Sequence, residues 1–250
     1  MEIIPRIHKI DGTRFANCYL AITGAKMLLI DTGMPGNANK IINYVKGLGK
    51  NPSDIDYIIL THSDIDHIGS AAEMKKMTGA NLVIHANDAQ VLSGQSGFRT
   101  LRGPLGVLFK LMTKLMRFQS VEPDVILKDD ADIGGFRVIH TPGHTDGSIC
   151  AYLPGKVIFV GDALRSSSRG IPTPPSKYFS ADIAKAEESL AKISELEFDI
   201  LLPGHGAPVI GRASSKLKEL LAIPGLESLS ESNRSIMITQ KARPQAQKQQ

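Results

Sequence analysis

"THSDIDHIGS", residues 61–70, follows directly on the apolar run "YIIL" and places His62, Asp64, Asp66 and His67 where a buried strand must end. Four side chains with lone pairs to donate are a poor choice for a core and an odd one for an ordinary turn. Three later segments share the pattern. "TPGHTDG" (141–147), "VGDA" (160–163) and "PGHG" (203–206) each follow a short apolar run and set His144, Asp162 and His205 close to glycine. Glycine lets the backbone turn sharply enough to aim a side chain at a shared centre. The seven candidate ligands are too many for one tetrahedral ion and suit two ions sharing a bridging carboxylate and a bridging water.

Around these segments the chain reads as alternating strands and helices. "EIIPRIHKI", "ANCYLAIT" and "KMLLIDTG" are strand-like, and "NANKIINYVKGLG" carries apolar residues at helical spacing. The strand "IDYIILTH" precedes a helix over about 70–78 and the strand "NLVIHA". Residues 88–120 read as helical. The strands "FRVIHTPGH", "SICAYLP" and "KVIFVGDA", the helix "SADIAKAEESLAKISEL", the strand "FDILLPGHG" and a helix over about 213–222 complete the order. Alternation that closes each half with a helix predicts two sheets face to face with helices outside, a four-layer αββα sandwich. The expected organisation is one domain over 1–232 with a helical insert at about 88–120, then a basic, Gln-rich, disordered tail over 233–250.

The charge balance locates itself in that tail. The chain has 29 Lys and Arg against 25 Asp and Glu, but Arg234, Lys241, Arg243 and Lys248 fall in the last 18 residues with no acid among them. Residues 1–232 are therefore neutral, and no nucleic-acid partner is expected. No apolar run approaches the roughly 20 residues that span a bilayer, and "MEIIPRIHKIDG" lacks the basic start and apolar stretch of a secretory signal. Cys18 and Cys150 lie in strand-like runs and read as buried thiols of a cytoplasmic protein rather than a disulfide.

With the ligand segments in this order, and "DTG" at 31–33, residues 1 to about 222 resemble the metallo-β-lactamase fold superfamily. Its signature runs His-x-His-x-Asp-His, then a lone His, a lone Asp and a final His. The resemblance implies that His62 and His144 hold the first of two divalent ions, and that Asp66, His67 and His205 hold the second. Asp162 would bridge both, and Asp31 would orient a ligand histidine from behind. Asp64 departs from the signature, which has His there. Either it is a substitute ligand to the first ion, because a carboxylate oxygen binds zinc at nearly the imidazole distance, or its shorter side chain leaves that position weak. A ligating Asp64 makes the cluster neutral, since two divalent ions balance three aspartates and a hydroxide. That favours iron or manganese beside the expected zinc.

Two such ions generate hydroxide near neutral pH and polarise a carbonyl, and no G-x-S-x-G or paired cysteine offers a rival nucleophile. The expected function is hydrolysis of a lactone or other small ester by a metal-bridging hydroxide, with Asp66 helping the leaving group depart. The substrate would be acyl-homoserine-lactone-like, with weak promiscuous β-lactamase activity. A glyoxalase-II-like thioester hydrolase is the close alternative, weakened because those enzymes carry His where Asp64 stands. A metal-binding interaction protein without catalysis is the alternative of another class.

The stretch "PLGVLFKLMTKLMRF" sets Val107, Leu108, Leu111 and Leu115 on one helical stripe and Lys110, Lys114 and Arg117 on another, with no acid from 98 to 117. It reads either as a helix with its basic face in water, as a cap placing Leu111 and Met112 against an apolar substrate, or as a membrane-touching surface helix. Arg165 and Tyr178, in "RSSSRGIPTPPSKYF" after Asp162, are candidates to hydrogen-bond a small-molecule substrate. His8 and His85 read as structural, and His140 as a weak candidate for supporting a ligand.

Overall fold

The computed structural model describes residues 1–99, 116 and 118–223. The stripe from Val107 to Leu115, with Met112, and the tail 233–250 lie outside the described residues.

Four strands open the chain as antiparallel neighbours: β1 (Glu2–Ile4), β2 (Ile7–Lys9), β3 (Tyr19–Thr23) and β4 (Lys26–Ile30). Helix α1 (Ala38–Gly47) then crosses over to β5 (Ile55–Ile59), parallel to β4. Helices α2 (Ile65–Ile68) and α3 (Ala71–Thr78) lead to β6 (Asn81–His85), and α4 (Ala86–Leu92) precedes β7 (Val125–Leu127). These strands form a seven-stranded sheet in sequence order. The second sheet begins with β8 (Ala131–Ile133), β9 (Phe136–His140), β10 (Ile149–Leu153) and β11 (Val157–Gly161) as an antiparallel meander. A small hairpin, β12 (Arg165–Ser166) with β13 (Pro172–Thr173), interrupts the loop before α5 (Ile183–Ser194). β14 (Ile200–Pro203) returns parallel to β11, and β15 (Val209–Ile210) and α6 (Ala213–Leu221) finish the described chain.

The layers follow from which faces are apolar. α1 buries Ala38, Ile41, Ile42 and Val45, and α5 buries Ala186, Ser189, Leu190 and Ile193. Both sets recur at i, i+3, i+4 and i+7, one stripe of a helix. The α1 stripe joins Leu29, Ile58 and Leu82 on the outer face of the first sheet, while the α5 stripe joins Ile158 and Leu201 on the outer face of the second. Between the sheets lie Tyr19, Leu28, Ile59, Phe136, Phe159 and Leu202. Phe159 is edge-on to both Tyr19 and Phe136, with ring centroids 5.4 and 5.7 Å apart. The result is the four-layer αββα sandwich that the order of elements predicts.

The helical reading of 88–120 holds over 88–92 and needs correction over 93–99 and 118–120. α4 ends at Leu92, and the chain turns at Gly94 (φ +77°) and runs as coil to Arg99. The run "SGQSG" (93–97) explains the stop, since two glycines and two serines favour turn over helix. The chain returns as coil at Phe118, whose ring meets Phe98 edge-on at 5.0 Å, and the Val121 amide donates to the Leu92 carbonyl.

Candidate metal centre

The candidate ligands gather at one edge of the sandwich because the parallel strands deliver them there. Asp31 follows β4, the 61–67 loop follows β5, Asp162 follows β11 and His205 follows β14, all at carboxyl ends of strands. His144 comes from the turn between β9 and β10. α2 starts immediately after Asp64, so Asp66 and His67 sit on its first turn.

Donor atoms fall into three overlapping groups, each within 4.8 Å: His62, Asp64 and His144; Asp66, His67 and His205; and His62, His67 and Asp162. The third group shares His62 with the first and His67 with the second, and adds Asp162. Its Oδ1 lies 3.6 Å from His67 Nε2, and its Oδ2 lies 3.4 Å from His205 Nε2 and 3.7 Å from His144 Nε2. Asp66 Oδ2 is 3.2 Å from His205 Nε2. His62 Nε2, His67 Nε2 and Asp162 Oδ1 are buried without a hydrogen-bond partner among the described residues. Each such atom costs about 1–3 kcal/mol if left unsatisfied, and all three converge where a cation would satisfy them together. The residues fit a pair of divalent ions.

Burial alone would neutralise these groups, and charge pairing outweighs it. Burial pushes the Asp162 carboxyl up, but His144, His67, His205 and His62 hold it below the usual range. The Asp66 carboxyl is likewise held down against burial by His205 and His67. Burial opposes charge on His67, yet Asp31, Asp66 and Asp162 carry its pKa up to about 10. Burial lowers His144, its contact with Asp64 offsetting only part of the effect.

Supporting contacts fix the loops. Asp31, held at φ +60°, accepts from the Thr61 amide and hydroxyl (each 2.8 Å) and lies 2.7 Å from His67 Nδ1. Asp88 accepts from Ser63 N (2.7 Å), Thr145 Oγ1 (2.8 Å) and Gly147 N (3.1 Å), tying the His62 loop to the His144 loop. Asn17 Nδ2 donates to the carbonyls of Pro203 and Gly206, both at 2.9 Å, bracketing His205. Gly204 is needed for closeness: a Cβ there would stand 2.4 Å from Asp162 Oδ1 and 2.6 Å from His67 Cε1.

Asp64 has a partner that sequence reading missed. Arg99 Nε donates to Asp64 Oδ1 at 2.7 Å, and Nη2 donates to Oδ2, a two-pronged pair. The same Nη2 is 2.9 Å from His144 Nε2, and Nη1 donates to the Phe179 carbonyl. Burial works against ionised Asp64, but Arg99, His144 and His62 hold its carboxyl well below the usual range. In the sequence, Arg99 stands out only as one charge in an acid-free stretch, and Asp88 as the one acid of "HANDAQVL".

Tyr178 is 84% exposed, and among the described residues no hydrogen bond joins it or Arg165 to the cluster, although the Ser166 amide donates to the His205 carbonyl. His140 stacks on His85 at 3.9 Å and meets the Asp146 carbonyl rather than a ligand. Cys18 and Cys150 are buried free thiols. Among the described residues no helix is long and apolar enough to cross a membrane.

A family model described as the metallo-beta-lactamase superfamily matches residues 11–205. The chain belongs to this superfamily and is a metallo-hydrolase of its fold. "Probable metallo-hydrolase YflN" of Bacillus subtilis is 30% identical over 204 residues, covering 74% of this chain and 77% of that one. "Hydroxyacylglutathione hydrolase" of Shewanella loihica is 27% identical, covering 68% of this chain but 54% of its own length. Among solved structures, the subclass B3 metallo-beta-lactamase BJP-1 of Bradyrhizobium japonicum superposes with TM-score 0.66 at 25% identity, covering 97% of this chain and 94% of that one. TTHA1623, solved in a di-iron-bound form, gives TM-score 0.63 at 26% identity, covering 83% and 92%.

Proposed function

We propose that the chain is a binuclear metallohydrolase that opens lactones or other small esters. The observation that carries this reading is the Asp162 carboxylate lying within 4 Å of His144 from one donor group and of His67 and His205 from the other. Two divalent ions bound there supply a hydroxide nucleophile near neutral pH and an electrophile for the carbonyl. His62, Asp64 and His144 would hold the first ion, Asp66, His67 and His205 would hold the second, and Asp162 would serve both. Asp31 fixes His67 Nδ1, so that Nε2 is presented to the cluster. Ionised Asp66 would take up the proton released as the nucleophile adds to the carbonyl and return it to the departing alkoxide oxygen, so that the alcohol leaves neutral. Zinc is the proposed metal, with iron the alternative favoured by the di-iron neighbour.

An apolar acyl chain is supported by the Leu- and Met-rich sequence 105–118, with Leu111 and Met112 proposed as its contacts and Arg165 and Tyr178 as polar contacts to the substrate. Each buried methylene adds at most about 0.8 kcal/mol, so roughly four tighten binding by up to about two orders of magnitude. The bond broken is unchanged, so KM falls more than kcat rises. The test is a lactone series of increasing chain length assayed with and without chelator. Uniformly slow lactones beside rapid turnover of a glutathione thioester would favour the second reading, thioester hydrolysis, which the relative named hydroxyacylglutathione hydrolase supports.

A further inference from the structure

Arg99 holds the very atoms that an ion in the first position needs. The donor group there is His62, Asp64 and His144. Arg99 Nη2 carries two hydrogens, and its neighbours are Asp64 Oδ2 and His144 Nε2, the latter at 2.9 Å. A neutral imidazole nitrogen has one in-plane lone pair. His144 Nε2 is also 3.0 Å from Asp64 Oδ2, so it either accepts from Arg99 or donates to Asp64, and in both states its lone pair is not available to a metal. The Nε to Oδ1 bond and the Nη1 bond to the Phe179 carbonyl fix the guanidinium in this place. Its position is mostly enclosed, with the Arg99 side chain 20% exposed and that of Asp64 14%.

The second position is different. Among the described residues, the ion-pair partners of Asp66 and Asp162 within 4.0 Å are all histidines. No described Arg or Lys pairs with these carboxylates, and His67 Nε2 and Asp162 Oδ1 are buried without a hydrogen-bond partner.

We infer that Arg99 competes with the metal for the first position, so that the two positions fill in order, the Asp66, His67, His205 and Asp162 position first. This rests on the ligand assignment proposed above. An ion entering the first position must free His144 Nε2 from Arg99 and stand close to a fixed positive charge, both of which weaken it. Arg99 can remain on Asp64 Oδ1 through Nε while Nη2 withdraws. It then acts as a positioning residue that offsets the negative charge that Asp64 adds to the family's ligand set.

The test is stepwise titration of the metal-free full chain with cobalt(II), followed calorimetrically and by the cobalt absorption bands. Wild type is expected to bind in two separated steps. Arg99→Met should tighten the weaker step by about tenfold or more and leave the tighter one unchanged, because only the first position loses a competitor. Arg99→Gln, neutral but polar, should do the same and serves if the methionine variant folds poorly. Two indistinguishable steps in wild type, or a weaker step that both variants leave unchanged or weaken, would overturn the inference. One ion in wild type and two in the variants would support it while overturning the two-ion reading of wild type. One ion in all three overturns it, and no ion in any protein overturns it together with the ligand assignment.

Discussion

Asp31 Oδ2 lies 2.7 Å from His67 Nδ1, on the opposite side of the ring from the buried Nε2, at a backbone φ of +60° that few aspartates adopt. The same carboxylate holds Thr61, the residue next to His62. One buried acid therefore sets the direction of a proposed ligand and the path of the loop carrying three more. Asp31→Asn keeps the size and weakens the charge-assisted contact, so affinity for the second ion should fall by about 10–100-fold. Chelator competition measures this, and circular dichroism shows whether the fold survives. A folded Asp31→Asn protein with unchanged affinity would contradict the role given to Asp31.

Asp88 joins two ligand loops that are far apart in the chain. Its carboxylate serves Ser63, Thr145 and Gly147, so Asp88→Ala strands three donors in a buried place. With about 1–3 kcal/mol for each unsatisfied buried group, the variant should lose at least about 3 kcal/mol in urea unfolding. It should also lose more affinity for the first ion, relative to wild type, than for the second. A stability change below about 1 kcal/mol would show that water replaces the carboxylate readily.

Gly204→Ala tests the packing at the shared carboxylate. The added methyl would lie 2.4 Å from Asp162 Oδ1, far inside contact distance. The backbone there is fixed by the Gly204 amide donating to the Gly161 carbonyl at 2.6 Å. Asp162 must therefore yield, and metal content should fall while the secondary structure persists. Full metal content in Gly204→Ala would mean that Asp162 does not need the position seen here.

The order of elements and the pattern of strand-end ligands were legible because both are local. Alternating apolar runs give the sandwich, and a polar side chain after a buried strand marks the edge where it must emerge. The stripes Ala38, Ile41, Ile42, Val45 and Ala186, Ser189, Leu190, Ile193 are one-dimensional signals of this kind. What was not legible was pairing across the fold. Arg99 meets Asp64 from 35 residues away, and Asp88 meets Gly147 from 59. Neither spacing has a period. The helical reading failed over 93–99, where "SGQSG" overrode composition, and Tyr178 proved exposed where its neighbour's carbonyl meets Arg99.

Asp130 gives a pH-dependent signature at the base of the His144 loop. Burial opposes its ionisation, but the His140 amide, Lys192 and Arg137 outweigh it and hold the carboxyl below its ordinary value. A carboxyl lowered on folding adds stability that is present above its unfolded pKa and lost as pH falls through the folded value. Wild type should therefore exceed Asp130→Asn by about 1 kcal/mol near pH 7, with the difference shrinking below about pH 4. A difference independent of pH would assign the effect to packing instead.

Metal content decides most directly whether the strand-end side chains form a binuclear centre. Protein produced with ample zinc, iron and manganese, then freed of loosely bound ions, should carry two divalent ions per chain by elemental analysis. The His67→Ala and Asp162→Ala variants should carry fewer. One ion or none in the wild-type protein would contradict the binuclear account.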